Sequence, residues 1–214
     1  MTTRVDLVEF TPPLVEFLGR AAYVQLTIFE NLSRAIANAP TVAAKAAIGR
    51  AAELSIGKHR ELVEEITRAG STPSAAMEPF TRSIDDFERM VHGADWYENL
   101  VTCFVTAGFL DDFFVRLASG LPAEAARRAH DIYAAGSAED VLVAELNSAI
   151  AANPRLASRL AMWGRRLVGD TMLVARSALH YSDNHSSDEA RIEPVFTELI
   201  AAHTRRMDAI GLTA

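Results

Sequence analysis

The chain has 214 residues, is half hydrophobic and carries a formal net charge of -7. That acidity argues against a protein that grips nucleic acid through a broad basic face. A single cysteine, Cys103, excludes an internal disulfide and a cysteine-built zinc site. Abundant alanine and only 7% aromatic residues favour helices over sheets, so an all-α fold is expected. The N-terminus offers Asp6, Glu9 and a Pro12-Pro13 pair instead of a basic segment followed by an apolar run, so no secretory signal is expected. No uncharged stretch approaches a membrane span, and a cytoplasmic location with no membrane partner is the expectation.

The punctuation of the chain predicts six long or medium helices. The first runs from about Pro13 to Asn38 and ends at Ala39-Pro40, with an apolar stripe of Leu14, Phe17, Leu18, Ala21, Val24, Ile28, Leu32 and Ile36. The second runs from about Val42 to Ala69, with Thr41 as its cap and Gly70 as a left-handed close. A connection with Pro73 and Pro79 follows and holds a short helix from Ser83 to Val91. The third helix covers Asp95 to Ser119 and the fourth runs unbroken from Pro122 to Ala152. A fifth covers Pro154 to Tyr181, a polar loop spans Ser182 to Ser187, and a sixth covers Asp188 to Ile210.

Tight turns join helices 1 and 2, and helices 3 and 4, which forces antiparallel neighbours. The connection between helices 2 and 3 is long enough to cross the bundle. Two antiparallel hairpins joined by one long crossover give a ferritin-like four-helix bundle, here with two added C-terminal helices. The expectation is one domain over residues 1–214, with a core bundle over about 13–152 and further helices at about 154–181 and 188–210. Gln25 lies 15 residues before Pro40, Ser55 14 after Thr41, Ala107 13 before Gly120 and Ala134 13 after Leu121. At about 1.5 Å of rise per residue these four positions share one layer near mid-bundle, and the expectation is that they face one another.

The segments around Tyr23-Val24-Gln25-Leu26, Gly57 and Gly136, with Leu160 to Gly169 (LAMWGRRLVG), carry a resemblance. In that order they resemble an actinobacterial ferritin-like family related to the tRNA hydroxylase that acts on isopentenylated adenosine. The resemblance spans about Phe17 to Met172. It implies a di-iron cofactor held by Glu-x-Gly-His motifs on helices 2 and 4. This chain has no Glu-x-x-His or Asp-x-x-His anywhere. Where the motifs should fall stand Ser55-Ile56-Gly57-Lys58 and Ala134-Ala135-Gly136-Ser137. Gln25 takes the place of a glutamate on helix 1, and Ala107 is the match on helix 3. Two iron ions need several anionic oxygens and imidazole nitrogens, so no metal and no cofactor are expected in the layer of Gln25, Ser55, Lys58, Ala107, Ala134 and Ser137.

Lys58 has two readings: its amine stands in the old metal layer, or its stem lies along the bundle edge with the amine in water. An inward Lys58 requires an acceptor. Asp111, one turn from Ala107, and Asp131, one turn before Ala134, are the candidates. His59 reads as a core or boundary histidine with a local hydrogen bond, His92 as a surface residue, and Cys103 as an inert core thiol, while His130 sits beside Asp131 on helix 4 with no cooperating nucleophile. Arg155, Arg159, Arg165, Arg166 and Arg176 read as a solvated basic face paired with nearby acids.

Three functions are compatible with this pattern. The first is a metal-free, non-catalytic relative of a di-iron hydroxylase that acts through protein association. The second is an oxidoreductase, a hydroxylase with displaced metal ligands. The third is a binder of a small ligand in the emptied core. A homodimer is expected, with Met162, Trp163, Leu167 and Leu173 of helix 5 and Ile192, Val195, Phe196 and Ile200 of helix 6 at the contact. The rival assembly is a heterodimer with an iron-bearing paralogue.

Overall fold

The computed structural model describes residues 7–182 and 185–212, and every regular element among them is helical. The loop positions Asp183 and Asn184 lie outside the described residues. Helices α1 (Leu14–Ala37) and α2 (Val42–Arg68) form the first antiparallel hairpin. Of the predicted α1 stripe all but Leu14 and Ile36 are buried. The Thr41 hydroxyl accepts from the Ala44 amide at 3.0 Å and starts α2. Gly70, at φ 81°, closes it: Gly70 N–H donates to Thr67 and Ser71 N–H to Ile66, so two terminal carbonyls are satisfied.

The crossover is α3 (Pro73–Met77), a 3-10 turn and α4 (Thr81–Met90), longer than the single short helix expected. It packs mainly along α1. The α1 backbone approaches so closely that a Cβ on Gly19 would stand 2.0 Å from the Ala76 carbonyl oxygen. Helix α5 (Trp96–Leu117) begins with a reciprocal cap. Asp95 accepts from the Glu98 amide at 3.0 Å and Glu98 accepts from the Ala94 amide at 2.8 Å. The Trp96 indole donates to the Ala35 carbonyl and ties the start of α5 to the end of α1.

The fourth bundle helix is not continuous, contrary to the expectation from residues 122–152. It consists of α6 (Ala123–Ala134) and α7 (Glu139–Ala152) with a break between them. The local chemistry explains the break. The Ser137 hydroxyl accepts from the Glu139 amide at 3.0 Å, and this side-chain cap competes with helix continuation. Glu139 and Asp140 then supply negative charge to the first turn of α7. Around the bundle α1 touches α2 and α5, and α7 touches the same two, so α2 faces α5 across the diagonal.

Helices α8 (Leu156–Arg176) and α9 (His185–Ala209) cover the outer side of α5. Arg159 of α8 pairs with Asp95 at 2.5 Å and Glu98 at 3.3 Å, and Arg176 pairs with Glu189 and Glu193. An aromatic chain crosses the molecule from Phe17 to Phe114, on to Phe113 and then to Phe196 of α9, with centroid spacings of 5.7, 5.4 and 6.0 Å. The C-terminal stripes are therefore spent within the chain. Leu167, Ile192, Val195 and Phe196 are buried, while Met162 and Leu173 stay exposed.

His203 of α9 is 3% exposed and its Nε2 meets no hydrogen-bond partner. Burial, aided by the charge of Arg206, pushes its pKa down to about 4. A base held neutral in the fold but free to protonate when unfolded stabilises fully above the unfolded pKa of about 6.5 and loses that contribution as pH falls towards 4. Urea unfolding at pH 7.5 and pH 4.5 is expected to show a loss of up to about 3 kcal/mol from this residue. The His203→Gln protein should lose correspondingly less, and an equal loss in both proteins would remove His203 as the cause.

Candidate functional site

The middle of the bundle is defined by one side chain that does not belong in an apolar core. Lys58 on α2 points inward, with its side chain 7% exposed. Its Nζ lies 2.5 Å from Asp111 Oδ2, across the bundle diagonal on α5. The other carboxylate oxygen, Asp111 Oδ1, accepts from the Gln25 amide of α1 at 2.7 Å. Three helices thus meet through one carboxylate. Lys58 Nζ also sits 5.5 Å from the centre of the Tyr133 ring of α6, where a cation gains from the ring's electron-rich face.

The electrostatics follow from this crowding. Burial pushes the Asp111 carboxyl up, Lys58's charge and the two hydrogen bonds oppose it, and neighbouring Asp112 adds to the rise. Burial and the Asp111 charge push the Tyr133 phenol well up, so it stays protonated. Its hydroxyl is buried without a hydrogen-bond partner of good geometry. A cavity of about 10 Å³ lies beside the ion pair, lined by Gln25, Ser55, Lys58, Ala107, Asp111 and Ser137 among others. That volume holds about one water molecule.

One edge of this cavity is formed by Gly108 and Glu139. Both lie against Arg206 of α9: its guanidinium pairs with Asp112 at 2.6 Å and Glu139 at 3.1 Å, and a Cβ on Gly108 would stand 3.4 Å from its side chain. Sequence reasoning did not find Tyr133 or Arg206. A buried tyrosine one residue from the supposed layer and an arginine on an outer helix carry no motif, and only their approach to α5 marks them.

The predicted layer is assembled in part. Gln25 and Ser55 are buried and line the cavity with half-buried Ala107. Ala134 is exposed at the last turn of α6, so it does not face Gln25 and Ser55 as expected. The inward face of α6 runs through Ala125, Ala129, Ile132 and Tyr133, which leaves Ala134 on its outer side. Asp131 is exposed for the same reason and does not serve Lys58. Ser137 lines the cavity, with its hydroxyl engaged in capping α7. His59 is half-buried and its Nδ1–H donates to the Ala22 carbonyl at 2.8 Å, which binds α2 to α1 outside the ion pair. His92 and His130 are exposed, and Cys103 is buried with its thiol pushed up by burial.

The donor set does not fit a di-iron centre. The layer offers one carboxylate, already committed to a lysine and a glutamine, and the lysine brings positive charge to the place a metal would need anionic oxygen. Among the described residues no group of three or more His, Cys, Asp or Glu is placed to hold a metal ion. Nor is any helix among them long and apolar enough to cross a membrane.

A buried pair broken on one side strands a charge. Lys58→Met is expected to lower stability by about 3 kcal/mol at pH 7 in urea titrations, and by less in acid, where Asp111 protonates. Lys58→Met with Asp111→Leu should regain most of the loss, since two apolar groups replace two ions. A single variant as stable as the parent would mean the pair contributes nothing.

Comparison with known proteins now bears on this bundle. No curated protein matches the chain. Residues 9–187 match the profile of a family described as a ferritin-like domain of actinomycetes. The match extends over both hairpins, the crossover and α8. With most of its length inside that match, the chain belongs to the ferritin-like domain family of actinomycetes.

Proposed function

We propose that this chain is a non-catalytic member of the ferritin-like fold, a relative of di-iron hydroxylases of the kind that modify tRNA, in which an ion pair replaces the metal centre and activity consists of protein association. The observation that carries the reading is the Lys58–Asp111 contact at 2.5 Å in the mid-bundle layer. An ammonium there neutralises the one carboxylate of the layer, as metal cations do in ferritin-like di-iron sites, but brings no redox chemistry. The cavity beside it, with room for about one water, is too small for a tRNA base or another organic substrate. This disfavours both the hydroxylase with displaced ligands and a core binder of organic ligands.

The assembly favoured is a homodimer through α8. Met162 is 65% exposed and Leu173 66% exposed. They lie eleven residues apart, three helical turns, and so share one side of the helix. The rival is a heterodimer in which an iron-bearing paralogue covers the same face. Leu167, Ile192, Val195 and Phe196 are buried within the chain and Trp163 and Ile200 are half-buried, so the exposed part of the stripes lies on α8.

Anaerobic loading with ferrous iron, desalting and elemental analysis test the first part. Iron far below one atom per chain is expected, with no oxo-to-iron absorption band after exposure to air. Iron near two atoms per chain would overturn the reading. Light scattering at micromolar concentration tests the second part: the mass of a dimer is expected, reduced to a monomer by Met162→Glu with Leu173→Glu. A monomeric parent chain sinks the homodimer and leaves the heterodimer.

A further inference from the structure

A large cavity lies outside the bundle core, between α1 and the crossover helix α4. It is a groove of about 670 Å³, within the size range of small-molecule sites. From α1 come Tyr23, Thr27, Glu30 and Arg34, at spacings of four, three and four residues, so one face of that helix lines it. From α4 come Asp85, Glu88 and Arg89 by the same logic, with His92 just past its end. Two polar helix faces therefore look at each other across open space, where a crossover helix would ordinarily turn its polar face to water.

The charges in the groove are unequally satisfied. Arg34 is held by Glu30 at 3.4 Å and by the Asn31 side chain at 2.8 Å. Arg89 is held by Asp86 on the outer side. Among the described residues the two carboxylates deepest in the α4 face form no ion pair. Asp85 accepts from the Tyr23 hydroxyl, at 2.7 Å, and Glu88 accepts from the Asn31 amide. They stand at i and i+3 on one helix, close enough for one small cation to meet both. Their neighbours are Tyr23, Glu30 and Arg34 on α1, Arg89 on α4, His92 just after α4, and the buried Cys103 thiol on α5.

We propose that this groove binds a small organic cation, an aliphatic amine whose ammonium is received by Asp85 and Glu88 while its carbon chain lies along α1. A metal ion is disfavoured because no group of three or more His, Cys, Asp or Glu among the described residues is placed to hold one. An anion is disfavoured because both arginines are already paired. The state of Glu88 supports the assignment. Burial, with the charges of Glu30 and Asp85, pushes its carboxyl up to about 7 against the Asn31 hydrogen bond and the charge of Arg34. An arriving ammonium favours the ionised form, so binding near pH 7 releases a fraction of a proton. The inference is independent of the reading of the bundle core.

Calorimetric titration of the full chain at pH 7 with 1,4-diaminobutane and with n-butylamine tests it, run in phosphate and in Hepes so that proton release is read from the difference in heat. Saturable binding of at least one amine is expected, accompanied by proton release. Glu88→Gln, nearly isosteric, should abolish the proton release and weaken binding by at least about tenfold, and Asp85→Asn should weaken it as well. Thermal melting of both variants checks that they fold. Failure of both amines to bind at millimolar concentration would overturn the proposal. So would equal binding by folded Glu88→Gln, or binding of magnesium or acetate as tight as that of the amines.

Discussion

Helix α5 is apolar on nearly every side. Leu100, Val101, Cys103, Phe104, Val105, Phe109, Leu110, Phe113, Phe114 and Leu117 are all buried, and these positions run around the whole helix instead of down one stripe. A helix of that kind is stable only when other helices surround it. The four-helix bundle covers one side, with α1, α6 and α7 against it, and α8 and α9 cover the other. The two C-terminal helices are therefore no ornament on a finished bundle. Each Leu or Phe they cover gains roughly 1.5–3 kcal/mol relative to exposure, and the packing of Phe113 on Phe196 is one such contact.

The same constraint governs the charges. Asp111 and Asp112 interrupt the apolar helix side by side, and successive residues on a helix point about 100° apart. Each must find a cation on a different flank, because a buried charge left alone is expensive. Asp111 turns into the bundle and meets Lys58 of α2, while Asp112 turns outward and meets Arg206 of α9. Glu139, at the first turn of α7, completes the second cluster. The break in the fourth helix serves this arrangement. It brings Glu139 to Arg206, while on α6 itself Tyr133 faces inward and stacks on Phe114 with an interplanar angle of 4°. Ala134 and Asp131 lie on the outer side of α6, in solvent. The interior polar layer and the docking of the last helix are thus two consequences of one Asp-Asp step.

Polar space is distributed unevenly around this frame. The bundle interior is closed down to a volume of about 10 Å³, whereas the outer face of α1 borders a groove of about 670 Å³. The interior ion pair is compensated by charge and by hydrogen bonds, and the groove carboxylates by hydrogen bonds from neutral donors, with Arg34 acting on Glu88 without a direct contact. Recognition chemistry in this molecule is therefore concentrated where charge remains to be balanced, outside the layer that ferritin-like proteins ordinarily use.

Much of this was legible in the chain itself, because it is encoded locally. Thr41, Asp95 and Gly70 fix helix ends through bonds to backbone groups within a few residues, and the absence of Glu-x-x-His is a plain fact of order along the chain. Counting residues from the turns put Gln25, Ser55 and Ala107 at one height, and all three line the same cavity, since rise per residue sets the height of a position in a bundle. Height does not set direction. Azimuth advances by about 100° per residue, and the inward face of α6 passes through Ile132 and Tyr133, which leaves Ala134 outside. Ser137 and the acids after it carried the signal of the break between α6 and α7. The choice of Asp111 over Asp131 for Lys58, the packing of Arg206 against Gly108 and Glu139 and the gap between α1 and α4 were decided only by tertiary structure. They depend on how separate helices approach, and no local bond encodes that distance.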